Sequence, residues 1–498
     1  MYRITKSIGL FTLACALNAA VKLPALISDH MVLQQGQPVR VWGSADPNES
    51  VKVEFQGQSV AVTAAQNGKW AAWLKPLVAG GPLEMTINGN IIKDVLVGEV
   101  WLGSGQSNME FRLQTAVNHD EEIANANYPM MHLFQVKKAV ADQPAEDVVG
   151  TWQVCAPASV KGFSAVEYFF GRHLLNNLHV PMGLIESDWG GTPAESWTSR
   201  EAVQADPALK FVNENWDKVM ANYPAAKERY DTVTIPAWEK AVADAKTAGK
   251  TPPNRPGGPQ GTGHPNTPAG LYNAMIAPLV PYGIRGAIWY QGESNANEAN
   301  AYRYRRLFGA MIQDWRNRWG QGDFPFLFVQ LANFHSNPYW PVLRESQTET
   351  LRLANTGMAV IHDVGESKDI HPKNKQDVGL RLALAARAIA YKQGIEYAGP
   401  MFQVATPENG AMRVYFAHAD GMRSSNHEAI TGFEIAGADG KYVAAEAKVD
   451  GNTIVVSSPQ VASPMTVRYA WADDPVCNLV NQVGLPASSF RSDQPHYQ

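Results

Sequence analysis

The chain has 498 residues, 45% hydrophobic and 18% charged, enough for two or three domains around a large core. Its 42 Lys+Arg against 47 Asp+Glu give a formal net charge of −5, and no basic run is interleaved with aromatics, which removes the electrostatic footprint of a nucleic-acid binder. Three cysteines in such a length exclude a disulfide scaffold.

Residues 1–20 read as a secretory leader. Arg3 and Lys6 supply the charge, Ile8 to Leu17 a short apolar run, and Asn18-Ala19-Ala20 small residues for cleavage. This predicts a secreted or periplasmic protein. Cys15, after Thr12-Leu13-Ala14, matches a lipoprotein signal only loosely, and lipidation is not expected. Cys155 and Cys477 then remain, and are expected as free, buried small hydrophobes rather than a pair.

Residues 21–94 alternate apolar and polar positions, as in Val39 to Gly43, Val51 to Phe55 and Leu83 to Ile87, with Gly, Pro and Asn between the runs. They predict a small β domain that packs on the rest. Residues 95–395 alternate apolar runs with helical periodicity, the pattern of an α/β fold. Strands are predicted to end near Leu102, Ser187, Tyr290, Leu331 and Ile361. Helices are predicted over Ser164–Leu178, Ala301–Trp319 and Gln376–Tyr391. Within this region, residues 199–268 read as an insertion, helical to Lys250 and then too rich in Gly and Pro for regular structure. From 396 to 498 the pattern is β again, as in Met412 to Phe416 and Met465 to Tyr469.

Four segments carry chemistry. Gly103-Ser104-Gly105-Gln106-Ser107-Asn108-Met109 follows an apolar strand and sets a serine on a small-residue turn, where a weak hydroxyl nucleophile can meet a base and backbone N–H groups. Ser187-Asp188-Trp189-Gly190-Gly191-Thr192-Pro193 and Gln291-Gly292-Glu293-Ser294-Asn295 each lie where a strand should end, the place where open α/β sheets gather their site loops. Asp369-Ile370-His371-Pro372 precedes a predicted helix. A serine, a glycine pair, an asparagine amide and an Asp/His pair are the parts of an acyl-transfer site.

On these residues the chain resembles the SGNH (GDSL-like) hydrolases, and within them the sialate O-acetylesterase-like carbohydrate esterases. The likeness extends to Ile27 through Gln34, Leu271 through Leu279, and Cys477 through Ala487. It implies an SGNH-type α/β/α parallel-sheet domain flanked by N-terminal and C-terminal sandwich-like β domains. It also implies a serine esterase that removes O-acetyl groups from carbohydrates through an acyl-enzyme. Acetyl-xylan or xyloglucan is the alternative to a sialic acid as substrate. An O-acetylated sugar or polysaccharide is the only partner expected; no nucleic acid, protein partner, cofactor or metal is implied.

Carried over residue by residue, Ser107 is the nucleophile and His371 the general base and acid, since imidazole exchanges protons near neutral pH. Asp369 should orient the imidazole. Many relatives have two residues between this Asp and His, whereas here only Ile370 intervenes, so Asp363 or a backbone carbonyl is the competing partner for the ring. The oxyanion hole should combine the N–H of Ser107, an N–H of Gly190 or Gly191, and the amide of Asn295, which matches the family's Gly-x-x-Asn. Gln106, Trp189, Glu195, Gln291 and Glu293 are expected around the substrate. His335 and His362 rank behind His371. A metal centre built from His362, Asp363, Asp369 and His371 is the rival mechanism. A non-catalytic carbohydrate-binding protein is the rival class.

Overall fold

The computed structural model describes residues 21–493; the leader expected over residues 1–20 lies outside the described residues. Its organising element is one long strand, β1 (Asn90–Gly105). The first half of β1 pairs antiparallel with Gly80–Ile87 and parallel with Val32–Gln34, and so belongs to the N-terminal β layer. Its second half is the centre of the main sheet. The strand therefore runs without a break through the boundary expected after Asp94, and one apolar core spans both regions.

The main sheet adds β2 (Tyr128–Gln135), β3 (Trp152–Cys155), β4 (Met182–Asp188), β5 (Gly286–Tyr290), β6 (Phe326–Val329) and β7 (Thr356–Ala359). Their spatial order is β7-β6-β5-β1-β4-β2-β3, and all but the edge strand β3 run parallel. Every residue of β4 and β5 is buried, as expected of strands covered on both faces. The chain moves outward from β1 in opposite directions, to β4 and β2 on one side and to β5, β6 and β7 on the other. A crevice must open at such a switch point, outside the carboxyl end of β1. The register sharpens this: Gly105 of β1 stands opposite both Asp188 of β4 and Tyr290 of β5, so three loops start at one level.

Four helices matter to the site. The single turn α1 (Ser107–Glu110) follows β1 directly. The long α2 (Ala165–Leu178) is capped by the Ser164 hydroxyl, which accepts from the Glu167 N–H. α3 (Tyr304–Trp319) covers the β5 side. α4 (Lys375–Ile389) packs on α2 and is capped by Asn374, whose side chain accepts from the Asp377 N–H. The insertion is helical as its composition implied, over Arg200–Ala205, Lys210–Arg229 and Ile235–Thr247, and irregular over most of 251–268.

The C-terminal region forms two four-stranded antiparallel sheets. Met412, Val414, Ile454 and Val456 of one meet Phe433, Ile435, Val467 and Tyr469 of the other in a separate core. The buried Arg344 guanidinium joins this region to the hydrolase domain, donating to the carbonyls of Leu331, Ala332, Ala472 and Asp473. Cys155 and Cys477 are free, and burial pushes the Cys155 thiol up to about 12, which makes it inert.

Candidate active site

The two glycines before the nucleophile are fixed by crowding. A Cβ on Gly103 would run into the Glu167 carboxyl, and one on Gly105 into the Tyr290 carbonyl, where φ is also +140°. Gly105 thus lets β1 reach the same level as β5 before the chain turns. The Gln106 N–H then donates to the Tyr290 carbonyl at 3.0 Å, and α1 begins at Ser107. The serine stands at the opening of the crevice, half-buried.

His371 meets it there. Its Nε2 lies 2.9 Å from Ser107 Oγ, the contact a general base needs to take the serine proton. Asp369 is placed differently from the expectation. Its Oδ1 is 3.6 Å from His371 Nδ1, too long for a hydrogen bond, and accepts instead the backbone N–H of His371 at 2.9 Å. With one intervening residue, the carboxylate is held in a tight turn beneath its own imidazole. It biases the ring by charge more than by direction. Burial and then the Lys375 ammonium hold the His371 imidazolium below its ordinary range, against the opposing pull of Asp369. The competing ring partner Asp363 is occupied elsewhere, both oxygens 2.6 Å from the Arg381 guanidinium.

The loops after β4 and β5 interlock on the other side. Asn295 is fully buried. Its Oδ1 accepts from the Ala194 N–H at 3.0 Å and from Gln291 Nε2 at 2.7 Å, while its Nδ2 donates to Glu195 at 2.9 Å. One amide hydrogen is left over, since each Asn amide carries two. Gln291 also donates to the Thr192 carbonyl and accepts from the Tyr304 hydroxyl. Gln106 accepts from the Ser294 N–H. Gln106, Gln291 and Glu195 are thus buried and tied to the loops themselves. Burial pushes the Glu195 carboxyl up. Trp189 is half-exposed, with Lys138 Nζ 5.4 Å from its ring centre.

The two glycines of the β4 loop differ. A Cβ on Gly190 would come within 3.2 Å of the Ser107 Cβ, so that backbone lies beside the nucleophile; a Cβ on Gly191, at φ +76°, would meet nothing. The Gly190 N–H donates at 2.7 Å to Glu110, the last residue of α1. Lys138 holds the other Glu110 oxygen at 2.6 Å. Burial raises the Glu110 pKa, but the bonds from Lys138 and Gly190 outweigh it, and the carboxyl sits below its usual range.

Three residues with clear connections had not been singled out in the sequence: Glu110, Asn108 and Lys375. Asn108 adjoins the nucleophile and is fully buried. Its Nδ2 donates to Glu293 Oε1 at 2.6 Å and to the Ile370 carbonyl at 2.9 Å, and its Oδ1 accepts from Lys375 Nζ at 2.5 Å. Lys375 stands among polar neighbours, Asn374, Gln376 and Asp377, so no local pattern in the sequence marked it.

The rival metal set does not assemble. His362 is buried with Nε2 on Gln330 Oε1 at 2.8 Å, and Asp363 is paired with Arg381. His335 is exposed and lies by Asp473. Among the described residues the carboxylates that converge are Glu167, Glu186 and Asp188, all buried. Glu186 is satisfied there by Arg112, Gln135 and the Ser164 N–H. Burial and the neighbouring Glu186 charge push Glu167 and Asp188 far up, toward the protonated form.

Such a fold, with a serine and histidine in contact at the switch point and amide donors around them, defines a hydrolase of the acyl-transfer class. Comparison with known proteins gives the family. The profile of "Carbohydrate esterase, sialic acid-specific acetylesterase" matches residues 263–390, which include Asn295 and His371. The chain is 33% identical to the human sialate O-acetylesterase over 427 residues, 76% of this chain and 73% of that protein. It is 32% identical to the rat sialate O-acetylesterase over 76% of each chain. The crystal structure of a carbohydrate acetylesterase from Xanthomonas citri superposes with a TM-score of 0.81 at 37% identity, covering 95% of this chain and all of that one. The chain belongs to the sialate O-acetylesterase family of carbohydrate esterases.

Proposed function

We propose that the protein is a serine-dependent carbohydrate O-acetylesterase, working on O-acetylated sugars of the sialic acid type. The observation that carries this is the 2.9 Å contact of His371 Nε2 with Ser107 Oγ at the end of the central strand. Ser107 attacks the acetyl carbonyl as His371 takes its proton. The imidazolium returns the proton to the leaving sugar hydroxyl, leaving an acetyl-enzyme. His371 then activates water, and acetate departs. The developing oxyanion is held by the Ser107 N–H, the remaining Asn295 amide hydrogen and, of the glycine pair, the N–H of Gly191, since Gly190 gives its own to Glu110. Trp189 offers a flat face for a sugar ring. The positively charged, apolar N-terminus of the sequence supports export to the periplasm or outside.

Ser107→Ala tests the reading directly. The variant is expected to keep its melting temperature and lose acetate release from both an aryl acetate and O-acetylated sialic acid. It should also lose labelling by a fluorophosphonate. Retained hydrolysis in the folded variant would overturn the assignment. Equal or better release from acetyl-xylan by the wild type would move the substrate to plant polysaccharides.

A further inference from the structure

The buried ammonium of Lys375 is not used by the reaction above, yet it is wired to it. Lys375 is completely buried at the first turn of α4. A charge in such a place is costly unless it is paired and hydrogen-bonded. No carboxylate lies within ion-pair distance of Lys375 Nζ among the described residues; its 2.5 Å bond goes to the neutral Asn108 amide. The Phe111 and Tyr290 ring centres lie 4.5 and 5.3 Å away. Asn108 passes the connection on, to the Glu293 carboxylate and to the carbonyl of Ile370, the residue just before His371. One amide thus links the nucleophile helix, the loop of the oxyanion asparagine, and the loop of the base.

We propose that Lys375 is a positioning residue for the esterase reaction: through Asn108 it clamps the Ile370–His371 segment against the Ser107 helix. The proposal rests on the serine-esterase reading. Asn108 is suited to the link because its oxygen accepts from the cation while both amide hydrogens remain for Glu293 and the Ile370 carbonyl. An aspartate in its place would lack those donors. At His371 the lysine charge is opposed by Asp369, and the carboxylates that face the lysine are Glu293, Asp369 and Glu366. Burial brings the Lys375 pKa down to about 7, with Glu293, Asp369 and Glu366 opposing. The ammonium is therefore poised to respond to changes in this network.

The experiment is kinetic. In Lys375→Met, which keeps the chain's bulk, kcat on an aryl acetate is expected to fall about 10- to 100-fold with KM within about twofold, the signature of misplaced reacting groups. The acid limb of kcat/KM should move up, because a like charge that disfavours the imidazolium has gone. Asn108→Ala keeps the lysine and cuts the clamp, and should lose kcat to a similar extent with KM held. If Lys375→Met fails to fold, Asn108→Ala decides. A near wild-type kcat in either folded variant, or a limb that stays in place in Lys375→Met, overturns the proposal. Ser107→Ala in the same assay separates the two readings: activity there refutes the serine mechanism, whereas a dead Ser107→Ala beside an unaffected Lys375→Met refutes only the clamp.

Discussion

The two sides of the Ser107 crevice are built differently. On the oxyanion side, Gln106, Gln291, Asn295 and Glu195 are buried and locked to one another and to the backbone of the β4 and β5 loops. On the base side, the His371 and Asp369 side chains are 37% and 47% exposed, and their loop is tied to its surroundings through the carbonyls of Ser367, Ile370 and Lys373. The division suits the chemistry. Donors to a developing charge act best when they need no reorganisation. A base that moves a proton both ways must keep contact with the nucleophile and then with leaving group or water, and needs some freedom.

The largest expected effect comes from breaking the rigid side. On the proposed mechanism Asn295→Ala removes an oxyanion donor, and it unmakes the bonds to Gln291, Ala194 and Glu195. The loss in kcat should be about 10²–10³-fold. Because Glu195 and the Ala194 N–H lose the buried partner Asn295 gave them, melting temperature should fall as well. If kcat holds and only KM rises, the amide binds substrate instead, and the locked side is scaffold alone.

The exposed side should give a smaller effect. A buried, hydrogen-bonded triad aspartate is worth about 10⁴ in kcat. Asp369 is 3.6 Å from the ring and largely solvated, so Asp369→Asn should cost less than about 10-fold. Its amide oxygen can still accept the His371 N–H and keep the turn. In the wild type, kcat/KM should climb through a limb below the ordinary histidine value of 6.5, since burial and Lys375 disfavour the imidazolium. Asp369 favours it, so its neutralisation should lower the limb further, the opposite sign to Lys375→Met. A 10⁴-fold loss would mean that Asp369 closes onto Nδ1 when substrate binds.

The same contrast explains what could be read from the sequence. The β4 and β5 loops were legible because apolar runs ended at them: strands expected to finish near Ser187 and Tyr290 finish at Asp188 and Tyr290. The continuous β1 was not legible as one element. Asp94, at φ +54° in the middle of it, looks like a turn, but pairing on both sides overrides the local signal. Ser107 and His371 carried their motif with them. What composition could not tell was where an amide spends its hydrogen bonds. Gln291 and Gln106 read as pocket residues and prove to be buried ties between loops. Lys375 and Glu110 were invisible for the complementary reason: each works through a partner far off in sequence, Asn108 for the lysine and Gly190 for the glutamate, with no local pattern to mark it.

Glu110 ties the oxyanion side to the nucleophile helix, and its removal should be the mildest change. It leaves α1, next to the nucleophile, and holds the Gly190 N–H of the oxyanion loop. Its carboxyl lies below the ordinary 4.5 in the folded protein. The ionised form is thus favoured by folding, and its contribution is present in full above about 4.5 and fades as the pH drops through the lower folded value. With the side chain 24% exposed and one partner a surface lysine, that contribution should be no more than about 1 kcal/mol. Glu110→Gln should therefore melt slightly below the wild type at pH 7, and the difference should close on acidification. A gap that persists unchanged at pH 3 would show that the hydrogen bonds matter and the charge does not. A gap that grows would reverse the sign of the shift, and with it the picture of an ionised Glu110 holding the oxyanion loop to the nucleophile helix.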